Sequence, residues 1–220
     1  MRLLIEGLFI KVSGVTTEED ALFAIGLGAS AVGFEFGPTP RQISPSVAHD
    51  IVRRLPQGAI SVGVFRNELP KRIVEIANTL GLTAVQIDGA MTGEQLGYVA
   101  ERVNTVLRTI PSTSVIDSRT SYSGADYLLI PESDDRDSLV DCLDTFLDET
   151  IRTPLIASGG LTSSNVIDVV QNYPVWGVDV RGGVETSPGV KDPVLLGEFI
   201  ANARWAYENS YVDRHHDDWF

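Results

Sequence analysis

Eight short apolar segments alternate with amphipathic segments along the 220 residues of the chain. The apolar segments are rich in Val, Ile, Leu and Phe and show little polar alternation, which is typical of parallel strands buried on both faces. They occupy residues 8–12, 31–36, 60–65, 84–87, 105–110, 127–130, 155–157 and 177–180. A helical period predicts helices between them, at residues 18–27, 45–55, 69–80, 93–103, 139–147, 163–171 and 193–208.

This alternation predicts a (β/α)8 TIM barrel built from a single α/β domain over residues 1–210. A doubly wound open sheet is the alternative fold. The polar segment 112–123 is expected to be a short or degraded helix, and the polar tail 211–220 is expected to be loosely ordered. Side-chain caps are expected at the starts of three of the helices, from Ser44, Thr92 and Asp192.

The composition argues against several classes of protein. The formal net charge is −13, whereas nucleic-acid binding needs clustered Lys and Arg, so no nucleic-acid partner is expected. The chain has no apolar run long enough to cross a bilayer and no charged-then-apolar leader, so we expect a cytoplasmic protein without a membrane partner. Cys142 is the only cysteine, which excludes intramolecular disulfides and cysteine-rich metal sites, and no metal site is predicted.

Two glycine-rich segments each follow a predicted strand and precede a predicted helix. Gly159 and Gly160 follow the seventh strand, and Gly182 and Gly183 follow the eighth. A loop of this kind can offer several backbone N–H groups to a phosphate at a helix N-terminus. Because the two segments belong to consecutive strand–helix units, we expect them to form one phosphate site.

In a TIM barrel, the reacting groups lie at the carboxyl ends of the strands. This rule selects the polar side chains Lys11, Ser13, Glu35, Arg41, Arg66, Asn67, Gln86, Asp88, Arg108, Glu132, Ser158, Asp179 and Arg181. Alternation along the first strand places Lys11 and Ser13 on the same side.

Six short motifs, in order along the chain, resemble those of the phosphoribosylanthranilate isomerase family. They are KVSGVT at 11–16, VGFEF at 32–36 followed by TPR at 39–41, VGVFRN at 62–67, VQIDG at 85–89, SGGL at 158–161, and the segment 177–192 that ends in PGVKD. The resemblance extends over residues 8–202.

The resemblance implies a (β/α)8 barrel that uses no cofactor or metal. It also implies an Amadori rearrangement in tryptophan biosynthesis, in which a phosphoribosyl aminoaldose on anthranilate becomes an open-chain 1-deoxyribulose 5-phosphate. A general acid protonates the ring oxygen and opens the ring, and a general base then removes the proton at C2 of the sugar. The implied partner is a phosphorylated small molecule, and family members occur as monomers and as homodimers.

Binding roles follow from the same resemblance. The two glycine-rich segments are expected to hold the phosphate, mostly through backbone N–H groups. Arg41 is expected to bind the anthranilate carboxylate, a task that suits a bidentate guanidinium. Gln86 and Asp179 are expected to make polar contacts with the sugar or with neighbouring loops.

The chain departs from the family pattern at the residues expected to transfer protons. Ser13 stands where the family has its general-base cysteine, and an unaided serine hydroxyl is far harder to ionise than a thiol. Pro131 stands where the family has its general-acid aspartate, and proline cannot give or take a proton. Asp88 replaces a histidine, and Arg181 replaces a small polar residue and adds positive charge to the predicted phosphate site.

Three carboxylates near strand ends are candidates for the missing proton transfers: Asp88, Glu35 and Glu132. We hypothesise that one or two of them act as acid or base with shifted pKa values. Three functions remain open at this point. The protein is an isomerase with substituted acid and base residues, a diverged homologue with other chemistry on a phosphorylated ligand, or a non-catalytic phosphosugar-binding protein.

Overall fold

A closed barrel of eight parallel strands forms the centre of the molecule, and each strand pairs with its neighbours in chain order. The computed structural model describes residues 3, 5–110, 124–131, 139–144 and 153–211. The strands are Phe9–Val12 (β1), Ala31–Glu35 (β2), Ile60–Phe65 (β3), Ala84–Ile87 (β4), Val106–Thr109 (β5), Tyr127–Leu129 (β6), Leu155–Ser158 (β7) and Gly177–Val180 (β8). The eighth strand pairs with the first, so the predicted TIM barrel is confirmed and the alternative open sheet is not formed.

Helices pack around the barrel between the strands. They are Glu18–Leu27 (α1), Pro45–Val52 (α2), Pro70–Leu80 (α3), Gly93–Ala100 (α4), residues 139–144 (α5), Val166–Asn172 (α6) and Pro193–Glu208 (α7). The three predicted caps are confirmed, because the side chains of Ser44, Thr92 and Asp192 each accept a hydrogen bond from the first turn of their helix.

Some helix boundaries differ from the predicted ones. Helix α2 ends at Val52 rather than at 55, since Pro56 disfavours a helical backbone at the residue before it. Helix α4 ends at Ala100, after which Val103 N–H still bonds to the carbonyl of Val99 in a turn. Helix α6 begins at Val166 rather than at 163, because the preceding residues form a turn that is tied to the loop after β7.

Apolar side chains fill the half of the barrel interior at the amino-terminal ends of the strands. The ring of Trp176 lies between those of Phe9 and Tyr127, with centroid distances of 4.7 and 4.2 Å. A Cβ at Gly177 would lie 2.7 Å from the backbone oxygen of Phe9, so only glycine lets this ring layer pack. The apolar layer fills the amino-terminal end, and the polar residues are left to the carboxyl ends of the strands.

Several expectations concern residues outside the described ones. They are the predicted helix at 112–123, the end of the helix at 145–147, the candidate Glu132 and the tail beyond Tyr211. Within the residues that the structure describes, no helix is both long enough and apolar enough to cross a membrane.

Candidate active site

The pairing of β1 with β8 places Lys11 directly beside Asp179. Both side chains point into the barrel, and Lys11 Nζ lies 2.7 Å from Asp179 Oδ2. Lys11 is completely buried, and Asp179 is 6% exposed. A buried charge needs a partner, and strand register alone supplies one here.

The ammonium of Lys11 also binds two other side chains. Its Nζ lies 2.5 Å from Ser13 Oγ and 2.7 Å from Oε1 of Gln86, on the far side of the barrel. Ser13 Oγ in turn donates to Asp179 Oδ1 at 2.8 Å. The three donors of an ammonium group are therefore matched by three oxygen acceptors.

Burial raises the pKa of Asp179 above its usual value. The charge and hydrogen bond of Lys11 and the hydrogen bond from Ser13 oppose this effect, while the nearby Asp88 adds to it. A carboxylate in this position is a stronger base than an exposed one.

Gly33 on β2 makes room for this cluster. A Cβ at Gly33 would lie 3.0 Å from Ser13 Oγ and 3.3 Å from Cε of Lys11. Any larger residue there would push the serine hydroxyl or the lysine stem out of position.

A second group of polar side chains surrounds Asp88, just after β4. Its Oδ1 accepts hydrogen bonds from Gln86 Nε2 at 2.7 Å and from Thr109 Oγ1 at 2.5 Å. Arg66 Nη2 lies 3.7 Å from Oδ2. Because Gln86 also accepts from Lys11, a continuous polar network crosses the barrel from Asp179 to Asp88.

Arg41 and Lys191 share one buried carboxylate at the rim of the barrel. Arg41 contacts Glu185 through Nε and Nη2, and Lys191 Nζ lies 2.8 Å from Glu185 Oε1. Burial opposes ionisation of Glu185, but the hydrogen bonds from Arg41 and Lys191 outweigh it and hold its pKa below the usual value. Burial lowers the pKa of Lys191, and Glu185 partly offsets that effect.

Glu35 is engaged by two donors at the end of β2. Its Oε2 accepts from Thr39 Oγ1 at 2.6 Å, and its Oε1 lies 3.1 Å from Nη1 of Arg181. A Cβ at Gly14 would lie 2.6 Å from Cδ of Arg41 and 3.3 Å from Cγ of Arg181. The stems of both arginines therefore lie close over the end of β1.

The two glycine-rich loops are in direct contact. A Cβ at Gly183 would lie 1.9 Å from the carbonyl oxygen of Leu161, which leaves space only for glycine. Gly159 and Gly160 have φ values of 85° and 60°, in the region that favours glycine. Asn165 fixes this loop by donating to the carbonyl of Gly160 and accepting from the amide of Thr162.

The loop after β8 has more structure than the sequence suggested. A short 3-10 helix, Gly182–Val184, is followed by a two-stranded hairpin of Glu185–Ser187 (β9) and Val190–Lys191 (β10) before α7 begins. This hairpin brings Glu185 and Lys191 over the rim beside Arg41.

Most of the chain matches one protein family. The family model for N-(5'phosphoribosyl)anthranilate (PRA) isomerase matches residues 10–202. The chain belongs to the phosphoribosylanthranilate isomerase family. The N-(5'-phosphoribosyl)anthranilate isomerase of Geotalea uraniireducens (strain Rf4) is 37% identical to it over 199 residues, which cover 89% of this chain and 98% of that protein.

Two solved structures of phosphoribosylanthranilate isomerases are similar to the whole barrel. One, in complex with reduced 1-(o-carboxyphenylamino)-1-deoxyribulose 5-phosphate, is 34% identical with a TM-score of 0.78 and covers 90% of this chain and 99% of that one. The other contains monomers of the dimeric Thermotoga maritima protein; it is 35% identical with a TM-score of 0.76 and covers 89% and 98%. The expectation of a monomer or homodimer stays a prediction for this family member.

Several site residues predicted for this isomerase family member lie close together. Ser13, Gln86 and Asp179 meet around the buried ammonium of Lys11, and Arg41 lies at the rim near Gly182. The guanidinium of Arg181 pairs with Glu35.

Pro131 follows β6, as the family resemblance predicted. Asp88 accepts a hydrogen bond from Thr109 on β5, the strand that pairs with β6. Arg108 donates to the backbone carbonyls of Ile87 and Gly89, on either side of Asp88.

Sequence reasoning missed two parts of the site in this isomerase family member. It noted Lys11 at a strand end but did not assign it the central position, which follows from its pairing with Asp179. It also gave no role to Glu185 or Lys191, because the hairpin that carries them was not predicted. A charge-bearing pair at facing positions of the first and last strands is the signal that could have found the Lys11 cluster.

Proposed function

We propose that the protein catalyses the Amadori-type isomerisation of N-(5'-phosphoribosyl)anthranilate, an aldose-to-ketose reaction in tryptophan biosynthesis. The observation that carries this proposal is the buried cluster of Lys11, Ser13 and Asp179, at the strand ends where the two glycine-rich loops begin. Asp179 is in β8, and the loop with Gly182 and Gly183 begins just after that strand. A phosphate held by the loops would therefore place its sugar near the cluster.

The rim supports a carboxylate-bearing aryl group on the same ligand. Arg41 is held in place by Glu185, and a Cβ on Gly182 would lie 3.7 Å from Arg41 Nη2. We propose that the Gly159–Gly160 and Gly182–Gly183 loops bind the phosphate and that Arg41 binds the anthranilate carboxylate. Gln86 and Asp179 would then face the ribose between these two anchors.

Asp88 is our candidate for the acid that opens the sugar ring. Its carboxyl group bonds Thr109 on β5. That strand pairs with β6, after which Pro131 stands in place of the family's general-acid aspartate. Glu35, at the end of β2, stays a second candidate, and its two oxygens bind Thr39 and Arg181. Arg181 is proposed to add positive charge near the phosphate when a ligand is bound, and Glu132 stays a candidate on sequence grounds.

Complementation tests the proposed function in a cell. A tryptophan auxotroph that lacks its own phosphoribosylanthranilate isomerase should grow without tryptophan when it expresses this chain. The matched control is Ser61→Ala, which removes a buried serine hydroxyl near the start of β3. That hydroxyl bonds Thr83, just before β4, away from the cluster. The control should complement as well as the wild-type chain, and Arg41→Ala should not.

A binding measurement separates the alternatives if complementation fails. Tight binding of reduced 1-(o-carboxyphenylamino)-1-deoxyribulose 5-phosphate without growth would reject the isomerase and favour a phosphosugar-binding protein. Absence of binding would favour a diverged homologue that acts on another phosphorylated ligand.

A further inference from the structure

We propose that Ser13 and Asp179 act as one general base, in which the serine hydroxyl takes the C2 proton and passes its own proton to the aspartate. The inference rests on the proposed function and assigns the step for which this chain lacks the usual cysteine. Lys11 is a positioning residue in this arrangement, since it fixes both partners through its ammonium group.

The hydrogen-bond directions around Ser13 fit a proton relay. Ser13 Oγ donates to Asp179 Oδ1 at 2.8 Å and accepts from Lys11 Nζ at 2.5 Å. A hydroxyl oxygen has two lone pairs, so Oγ can accept a second proton while its own proton moves along the existing bond. The direction of transfer is set before any substrate arrives.

Both oxygens of Asp179 bind partners within the cluster, and the hydrogen bond from Ser13 gives a proton a direct route to the carboxylate. Lys11 holds Oδ2, and the Ser13 hydroxyl holds Oδ1. Burial raises the pKa of Asp179 above that of an exposed carboxyl group, which favours transfer of the hydroxyl proton to it. The serine thus needs no ionisation of its own, and the positive charge of Lys11 stabilises the partial negative charge that develops on Oγ.

The backbone of Ser13 is fixed on two sides. Its amide donates to the carbonyl of Val180 at 2.8 Å, and its carbonyl accepts from Lys191 Nζ at 2.6 Å. Gly33 leaves the space that its hydroxyl needs. A relay requires such fixed geometry, because a small displacement of the accepting oxygen greatly slows proton transfer.

The step balances as follows. The C2–H bond of the ring-opened iminium breaks, and its electron pair forms the C1–C2 double bond while the C1–N double bond becomes single. The C2 proton binds Ser13 Oγ, and the hydroxyl proton of Ser13 binds Asp179, which becomes a neutral acid. The enolamine then ketonises as C1 gains a proton and the C2 hydroxyl loses one, and Asp179 returns to the carboxylate when it releases its proton.

Four variants test the relay in a steady-state assay with phosphoribosylanthranilate: Ser13→Ala, Ser13→Cys, Asp179→Asn and the control Ser61→Ala. Ser13→Ala should lower kcat by about 10²–10⁴-fold with little change in KM, the usual size of a lost proton-transfer group. It should also raise the primary isotope effect for substrate carrying deuterium at C2. Ser61→Ala should leave kcat and KM unchanged.

Ser13→Cys should restore kcat, because a thiol beside an ammonium ionises readily and can act as the base itself. The pH dependence then distinguishes a relay from a structural role. In the wild-type chain, kcat should rise with pH as Asp179 loses its proton. In Ser13→Cys, that rise should instead follow the ionisation of the thiol. Adding Asp179→Asn should cost much less activity in the Ser13→Cys background than in the wild-type one.

The two proposals fail in different ways. If the wild-type chain turns over phosphoribosylanthranilate and Ser13→Ala keeps kcat within about threefold, far less than a lost proton-transfer group costs, the relay is wrong and the proposed function stands. If Ser13→Ala is poorly folded, the Ser13→Cys variant decides instead. A rising limb of its kcat that lies at the same pH as in the wild-type chain would overturn the relay. Absence of turnover by the wild-type chain overturns the proposed function and the relay with it.

Discussion

The guanidinium of Arg41 and the carboxylate of Glu185 form a two-oxygen ion pair at the rim of the barrel. Arg41 Nε lies 3.0 Å from each oxygen of Glu185, and Nη2 lies 2.7 Å from Oε2. Glu185 is carried by the hairpin after β8, far from Arg41 in the chain. The pair fixes the plane of the group that we expect to bind the anthranilate carboxylate.

Removing the charge of Glu185 should loosen Arg41 without affecting the proton transfers. Glu185→Gln is expected to raise KM for phosphoribosylanthranilate roughly tenfold, equivalent to one charge-assisted hydrogen bond of about 1.5 kcal/mol, while kcat changes little. Arg41→Lys should raise KM further, since a lysine cannot form the bidentate contact that Arg41 makes with Glu185. Steady-state kinetics of the two variants check this, and an unchanged KM in both would contradict the role of Arg41.

The same pair makes stability depend on acid pH. Because the pKa of Glu185 is held below its usual value, its contribution to stability is fully present above the unfolded-state pKa of about 4.3. That contribution is lost as the pH falls through the lowered pKa of the folded state. The unfolding temperature of the wild-type chain should therefore be higher than that of Glu185→Gln at pH 6, and the two temperatures should converge near pH 3. A difference in unfolding temperature that stays constant with pH would contradict this.

Two neighbouring glycines give a matched test of the phosphate loops. A Cβ at Gly183 would lie 1.9 Å from the Leu161 carbonyl oxygen, whereas a Cβ at Gly182 would lie 3.7 Å from its nearest neighbour, Arg41 Nη2. Gly183→Ala should force the two loops apart and weaken binding of the reduced product analogue at least tenfold, while Gly182→Ala should bind nearly as well as the wild-type chain. Calorimetric titration measures both, and equal affinities would place the phosphate elsewhere.

Lys11 should be essential for the stability of the buried cluster. Lys11→Met leaves the Asp179 carboxylate buried without its cation, which is expected to cost about 3–5 kcal/mol in the free energy of unfolding. The control Lys71→Met changes an exposed lysine of α3 and should stay within about 0.5 kcal/mol of the wild-type value.

The cost of Lys11→Met should also fall at acid pH. The pKa of Asp179 is raised in the folded state, so that state takes up the proton more readily than the unfolded one, whose pKa is about 3.9. Lowering the pH towards that value neutralises the unpaired carboxylate. Denaturant unfolding at pH 7 and pH 4.5 should show a smaller difference between variant and wild type at pH 4.5, and a larger one would contradict the account.

Asp88→Asn tests the proposed ring-opening acid. An amide cannot supply the proton to the sugar ring oxygen, so kcat should fall by about 10²–10⁴-fold while KM stays nearly constant. The hydrogen bonds with Thr109 and Gln86 can be kept by the amide oxygen, which limits structural effects. If kcat stays within threefold, another group opens the ring, and Glu132→Gln becomes the next variant to assay.

The barrel could be predicted from the sequence because its strands carry an unambiguous pattern. The apolar runs and the helix caps at Ser44, Thr92 and Asp192 follow from local chemistry, and the structure confirms them. The helix ends were predicted less accurately, as at α2, which ends at Val52 rather than at 55.

The candidate site could be predicted only where a strand end or a motif marked it. Ser13, Gln86 and Asp179 belong to such positions, but their meeting at Lys11 depends on the register of β1 with β8 and on the width of the barrel. The Arg41–Glu185 contact joins two distant loops, one of which forms an unpredicted hairpin. Tertiary contacts of this kind have no periodic signal in the chain.

Turnover of phosphoribosylanthranilate by the purified wild-type chain tests the central claim most directly. The assay follows the loss of substrate fluorescence and the appearance of the 1-deoxyribulose 5-phosphate product by chromatography, at several salt concentrations because the chain carries a net charge of −13. We predict turnover well above the uncatalysed rate, retained in Ser61→Ala and lost in Asp179→Asn. No turnover at any salt concentration, with the reduced product analogue still bound, would contradict the account.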